Sequence, residues 1–159
     1  MSEEHKRSIK TKHGELTLEQ LAETQPGMAR LMKEVSDRYY ILYYAAKGGN
    51  WQLAQHELNQ VTSLFRVAST LRPKYSEDLS NFTKEYFTPI GDAIKAKDWA
   101  RFEKLYNQGI DESNVYHEKY GYEYIRYILP KTPPAYYDLK PPPAGSSSGK
   151  TDEKLEIEP

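Results

Sequence analysis

The chain contains no cysteine. Disulfides, thiolate metal sites, iron–sulfur clusters, thioether-linked haem and a cysteine nucleophile are therefore excluded. A dominant charge is missing as well: 22 Lys+Arg stand against 23 Asp+Glu, for a formal net charge of -1. No global field gathers phosphate backbones or an anionic surface, so neither a nucleic acid nor a membrane is expected as partner. Long apolar runs are absent too. The longest are broken by charge or by Lys47-Gly48-Gly49, well short of the ~20 residues that a membrane span requires. The opening stretch MSEEHKRSIKTKHGE is polar and leads into no apolar run of signal-peptide type. The expected location is the cytoplasm, or the periplasm if a signal peptide has been removed.

What is present falls into three parts. Hydrophobic residues make up 38% of the 159, about 60 side chains, enough for one modest core with chain left over. Residues 1–15 read as a flexible charged arm without apolar periodicity. Residues 16–139 carry nearly all the large apolar side chains. Residues 140–159 read as a disordered tail: six of the ten prolines lie from Lys131 onward, followed by a Gly/Ser run. The PPPAG stretch has no basic anchor in register, which favours a plain tail over a ligand for an SH3-type groove.

Helical periodicity dominates the middle. Met28, Leu31, Met32, Val35, Tyr39, Leu42, Tyr43 and Ala46 keep the three-four spacing of a buried stripe, predicting a helix from near Pro26 to Lys47. Gly48-Gly49 ends it, and Asn50 is a suitable N-cap for a second helix over 51–71. A third helix is predicted from near Ser76 to Lys97, kinked at Pro89. Asp98 caps a fourth, which reaches about Tyr120. Connections of two to five residues force antiparallel neighbours. The expected fold is all-α: an antiparallel up-down-up-down four-helix bundle with a Pro-rich C-terminal extension. The apolar segment Tyr122–Pro134 is expected to pack back across it.

Few residues offer chemistry. A di-iron bundle needs Glu-x-x-His pairs, but the residues three before the four histidines are Ser2, Lys10, Leu53 and Asn114. No two histidines stand four apart to hold zinc, and no Gly-rich phosphate loop is present. Acid pairs such as Asp111/Glu112 diverge on a helix surface. No metal site and no catalytic residue follow from these patterns.

Tyrosine is the unusual feature, with 14 of the 20 aromatics. Tyr39, Tyr40, Tyr43 and Tyr44 crowd one helix; Tyr116, Tyr120, Tyr124 and Tyr127 repeat at helical spacing. Each has a large apolar face and one hydroxyl that needs a partner when buried. The cluster is either a hydrogen-bonded core network or a polar-tipped pocket.

The stretch ESNVYHEKYGYEYIRYILPKTPP resembles the C-terminal haem-attachment region of small four-helix-bundle c-type cytochromes. There a Cys-x-x-Cys-His motif is followed by a Gly-aromatic step, an Ile-rich run and prolines. Ser113 and Tyr116 stand where the two cysteines would be, and His117 stands at the axial-ligand position. The resemblance extends over roughly residues 26–139. With its haem motif degenerate, it implies a cofactor-free relative of that family.

Three readings follow. The first is a cofactor-free bundle that binds a small apolar or aromatic ligand, or a partner protein, through Tyr39, Tyr43, Tyr116, His117 and Tyr120. His117 is then expected to be held inside by a hydrogen bond. The second is a protein with non-covalent haem b for electron transfer or gas sensing, with His117 as axial ligand and Met28 or Met32 opposite. The third is an enzyme with His117 as general base and a tyrosine as acid.

Overall fold

The computed structural model describes residues 7–145. These residues are mostly helical, with one small two-stranded sheet. The helices fall close to the predicted spans. Helix α1 (Leu18–Glu23) opens with a capping box in which Thr17 and Gln20 satisfy each other's backbone N–H groups. Helix α2 runs Met28–Lys47 and α3 runs Trp51–Leu71, where the Asn50 side chain accepts from the Leu53 N–H at 3.0 Å.

The predicted third helix is divided into α4 (Ser76–Phe82), a π-helical turn (Thr83–Phe87) and α5 (Thr88–Ala96). Pro89 is the physical reason for the division. It has no N–H, and its ring would collide with the Glu85 carbonyl in a regular helix, so the turn before it is widened by one residue. Lys97 then adopts a left-handed conformation at φ 53°, and Asp98 caps α6 (Trp99–Lys119) by accepting from the Arg101 N–H.

The arm is where the sequence reading departs most from the structure. Strand β1 (Ser8–Thr11) pairs antiparallel with β2 (Gly14–Thr17), Ser8 opposite Thr17 and Thr11 opposite Gly14. Both strands are largely exposed, so no apolar alternation marks them. The part of the expected tail from residue 146 onward lies outside the described residues.

Helix α2 packs along α3, α3 meets α4 and α5, and α6 lies against α5 and α2. Leu42, Ala54, Val61, Ile90, Phe102 and Tyr106 are completely buried between them. Burying a large side chain of this kind contributes roughly 1.5–3 kcal/mol. Between α2 and α3 the buried Glu57 carboxylate is met by Arg38 at 3.1 Å, and Arg38 also binds Glu34 at 3.0 Å. A buried charge is tolerated only when paired in this way.

After α6 the chain turns back. Gly121 takes φ +78°, its N–H donates to the Glu118 carbonyl, and the Tyr122 N–H donates to the His117 carbonyl at 2.7 Å. This is a Schellman ending, which needs a left-handed residue at the position Gly121 holds. The following strap crosses the helices on specific hydrogen bonds. Asn114 accepts from the Tyr127 N–H at 2.9 Å and donates to its carbonyl at 3.1 Å. Tyr44 donates to the Pro130 carbonyl, Tyr40 to that of Thr132, and Asn50 to that of Lys140.

The expected burial of Tyr122–Pro134 is therefore only partly realised. Tyr127 and Leu129 pack against the core, whereas Tyr122, Tyr124, Ile125 and Ile128 stay exposed. Backbone pairing to polar side chains, rather than continuous apolar contact, holds the strap.

Candidate functional site

The tyrosines named from sequence separate into two groups. Tyr39 and Tyr106 face each other across α2 and α6 with ring centroids 4.0 Å apart and planes within 8°. Each hydroxyl donates to the other's backbone carbonyl, Tyr39 at 3.0 Å and Tyr106 at 2.7 Å. Burial pushes both phenols well above their ordinary pKa. Tyr43 donates to Glu103 at 2.8 Å; burial first, then that carboxylate, pushes its pKa up to about 12. These rings form a closed, internally satisfied block.

Gly109 belongs to the same block and was not singled out from sequence. A Cβ there would come within 2.8 Å of the Tyr39 hydroxyl oxygen, so only glycine lets α6 accept the ring at this point. The signal in the sequence was a lone glycine inside a helical pattern, which often marks a close approach.

Tyr116, His117 and Tyr120 lie elsewhere, around a cavity of about 140 Å³. The start of α2 contributes Met28 and Met32, α3 contributes Phe65, α4 contributes Leu79 and Phe82, and the end of α6 contributes Ser113 together with these three. Met28 and Met32 thus share a cavity with His117. A second space of about 90 Å³ adjoins it, sharing Met32, Phe65, Phe82, Ser113 and His117 and reaching Tyr39 and Tyr127. Tyr43 lines neither.

The polar groups at this end are unequal. Asp78 accepts from Lys119 at 2.7 Å and from the Tyr120 hydroxyl, and these bonds hold its carboxyl below the usual range. The Tyr120 phenol is raised, chiefly by the same bond. Tyr75 stands edge-on to Tyr120 at 4.7 Å. Ser113 donates back along its helix to the Ile110 carbonyl at 2.8 Å. Burial raises the Tyr116 phenol, with the nearby Asp78, Glu112 and Glu85 charges adding to it.

The His117 Nδ1 is buried without a hydrogen-bond partner, as is the Tyr127 hydroxyl that lines the adjoining space. The expected internal hydrogen bond is absent, and the neighbouring apolar side chains Met28, Met32, Phe65 and Phe82 show why. They offer no strong donor or acceptor. A buried polar atom without a partner costs stability unless something else meets it.

Among the described residues no cluster of three or more His, Cys, Asp or Glu is placed to hold a metal ion. No helix there is long and apolar enough to cross a membrane. No protein-family model matches the chain, and neither a curated protein nor a solved structure matches it significantly.

Proposed function

We propose that the chain is an up-down-up-down four-helix bundle that binds a small apolar or aromatic molecule at the end where α2 begins and α6 finishes. One observation carries this reading: an apolar cavity of about 140 Å³ with an unpartnered imidazole in its wall. An apolar cavity of ~150 Å³ is large enough to bind benzene and stays dry without it. Tyr116, His117 and Tyr120 line the site, Tyr39 closes its inner extension, and Tyr43 supports the core behind it. A cleft of this small volume suits a small molecule better than a partner protein.

A second reading, non-covalent haem, is favoured by the meeting of Met28, Met32 and His117 in one cavity. That meeting also supports descent from a cytochrome-like bundle, since Ser113 and Tyr116, at the degenerate cysteine positions, line the same space. The side chains are suitable but the volume is not. Pockets for drug-sized ligands start at about 300 Å³, and a porphyrin would have to displace Tyr116 and Phe82. The small-ligand reading therefore stands first.

The test is thermal stability against benzene concentration. A ligand that binds only the folded state stabilises it by about 2.7 kcal/mol at one hundred times its Kd. The wild type is expected to gain melting temperature with benzene, and Ser113→Leu, which fills the space shared by both cavities, to gain none. No gain in the wild type, or an equal gain in the variant, overturns the reading. A stoichiometric Soret shift on hemin titration, abolished by His117→Leu, favours the haem reading instead.

A further inference from the structure

The cavity does not end at its own wall. The smaller space of about 90 Å³ beside it shares Met32, Phe65, Phe82, Ser113 and His117 with it and extends to Val35, Tyr39 and Phe87. Of the shared residues, Met32 alone has a long unbranched side chain. Three rotatable bonds and a soft thioether let such a chain change shape readily, whereas a phenylalanine ring moves as one rigid plate. Met32 is therefore the part of the partition that can give way.

The two spaces differ in what they offer. The outer one is lined in part by a polar group in which Asp78 binds Tyr120 and Tyr75 stands edge-on to that ring. The inner one presents almost nothing polar. The hydroxyls of Ser36, Tyr39 and Ser113 donate to the carbonyls of Lys33, Tyr106 and Ile110. The unpartnered His117 Nδ1 and Tyr127 hydroxyl have no surface open to it. A polar substituent entering there would lose its bonds to water without replacement, so the inner space suits hydrocarbon.

We propose that the site takes a single aromatic ring bearing an unbranched alkyl chain, with the ring in the outer space and the chain passing Met32 into the inner one. This rests on the small-ligand reading and specifies its chemistry. About 140 Å³ beside Phe65, Leu79, Phe82 and Tyr116 suits one ring. About 90 Å³ falls short of the ~150 Å³ that holds benzene, but leaves room for a narrow chain. A branched substituent of the same carbon number is too wide to pass between Met32 and the two phenylalanine rings.

The experiment titrates benzene, n-butylbenzene and tert-butylbenzene into the wild-type chain by calorimetry. The two butylbenzenes have the same atoms and nearly the same gain on leaving water, so shape separates them. Each buried methylene strengthens binding by about fourfold, so n-butylbenzene is expected to bind about tenfold or more tighter than benzene and tert-butylbenzene. Val35 lines the inner space and not the outer, and Met28 the outer and not the inner. The Val35 methyl resonances should therefore shift with n-butylbenzene alone, and the Met28 methyl with benzene as well. Val35→Phe fills the inner space and is expected to remove the advantage of n-butylbenzene while benzene binds as before. Should that variant fail to fold, the Val35 shifts in the wild type decide.

n-Butylbenzene no tighter than benzene, or matched by tert-butylbenzene, overturns the inference and leaves the small-ligand reading standing. Binding of none of the three overturns both. Tighter n-butylbenzene binding with the Val35 methyls unmoved, or undiminished by Val35→Phe, puts the chain elsewhere and overturns the inference.

Discussion

The two ends of the α2–α6 contact are built from the same residue types and behave differently. At the inner block, Tyr39, Tyr43 and Tyr106 bury their rings and every hydroxyl finds an acceptor within 3.0 Å. At the outer end, Tyr116 and Tyr120 flank a cavity, and the polar group deepest among the methionines has no partner. Tyrosine content is therefore no guide to function. What separates structure from site is whether the hydrogen-bonding capacity of each buried group is used up within the chain.

The largest contrast is expected from deletion in the inner block. Tyr106→Ala removes a completely buried ring, its stacking on Tyr39 and a hydrogen bond. It should cost about 3–5 kcal/mol in urea unfolding. A cost below ~1 kcal/mol would mean that the inner block is as loosely packed as the outer end.

The strap comes next. Asn114→Ala leaves the Tyr127 N–H and carbonyl without partners and should cost about 1–3 kcal/mol. Amide exchange at Tyr127 should quicken more than at Leu42, which is completely buried within α2. Equal protection in the variant would show that apolar packing of Tyr127 and Leu129 alone secures the strap.

A smaller effect is expected at the Asp78 cluster. Its carboxyl is lowered in the folded state, so the charged form contributes stability above the ordinary carboxylate range. That contribution is lost as pH falls through the lowered value. Asp78→Asn should flatten this part of the acid stability profile, and an unchanged slope would contradict the assignment.

The smallest effect is expected at His117. A residue held by an internal hydrogen bond would lose less on replacement by Gln than by Leu. With no such bond present, His117→Leu should lie within about 0.5 kcal/mol of the wild type or above it, because it removes an unpaired polar atom. His117→Gln should be the worse of the two. The reverse order in chemical denaturation would restore the hydrogen-bonded picture.

Much of the helical layout was legible because its signals are local. Gly48-Gly49, Asn50 and Asp98 mark their own boundaries, and the apolar stripe of α2 falls where periodicity put it. The expectation that Met28, Met32 and His117 could face one another is met to the extent that all three line one cavity. The hairpin at Ser8–Thr17 could not be read from sequence, since exposed strands carry no alternation. Nor could the strap, whose pairing joins Asn114 to Tyr127 and Asn50 to Lys140 through backbone groups that composition does not reveal. The division of the tyrosines was equally hidden, because it depends on which carbonyl or carboxylate each hydroxyl meets.

The central claim, that ligand enters the outer end and not the inner block, is tested most directly by NMR. The protein is labelled at its methionine methyl groups and at the rings of Tyr39 and Tyr106, then titrated with benzene. The account predicts saturable shifts of the Met28 and Met32 methyls with the Tyr39 and Tyr106 rings nearly still. Methyls that do not move, or tyrosine rings that shift as much as they do, would contradict it.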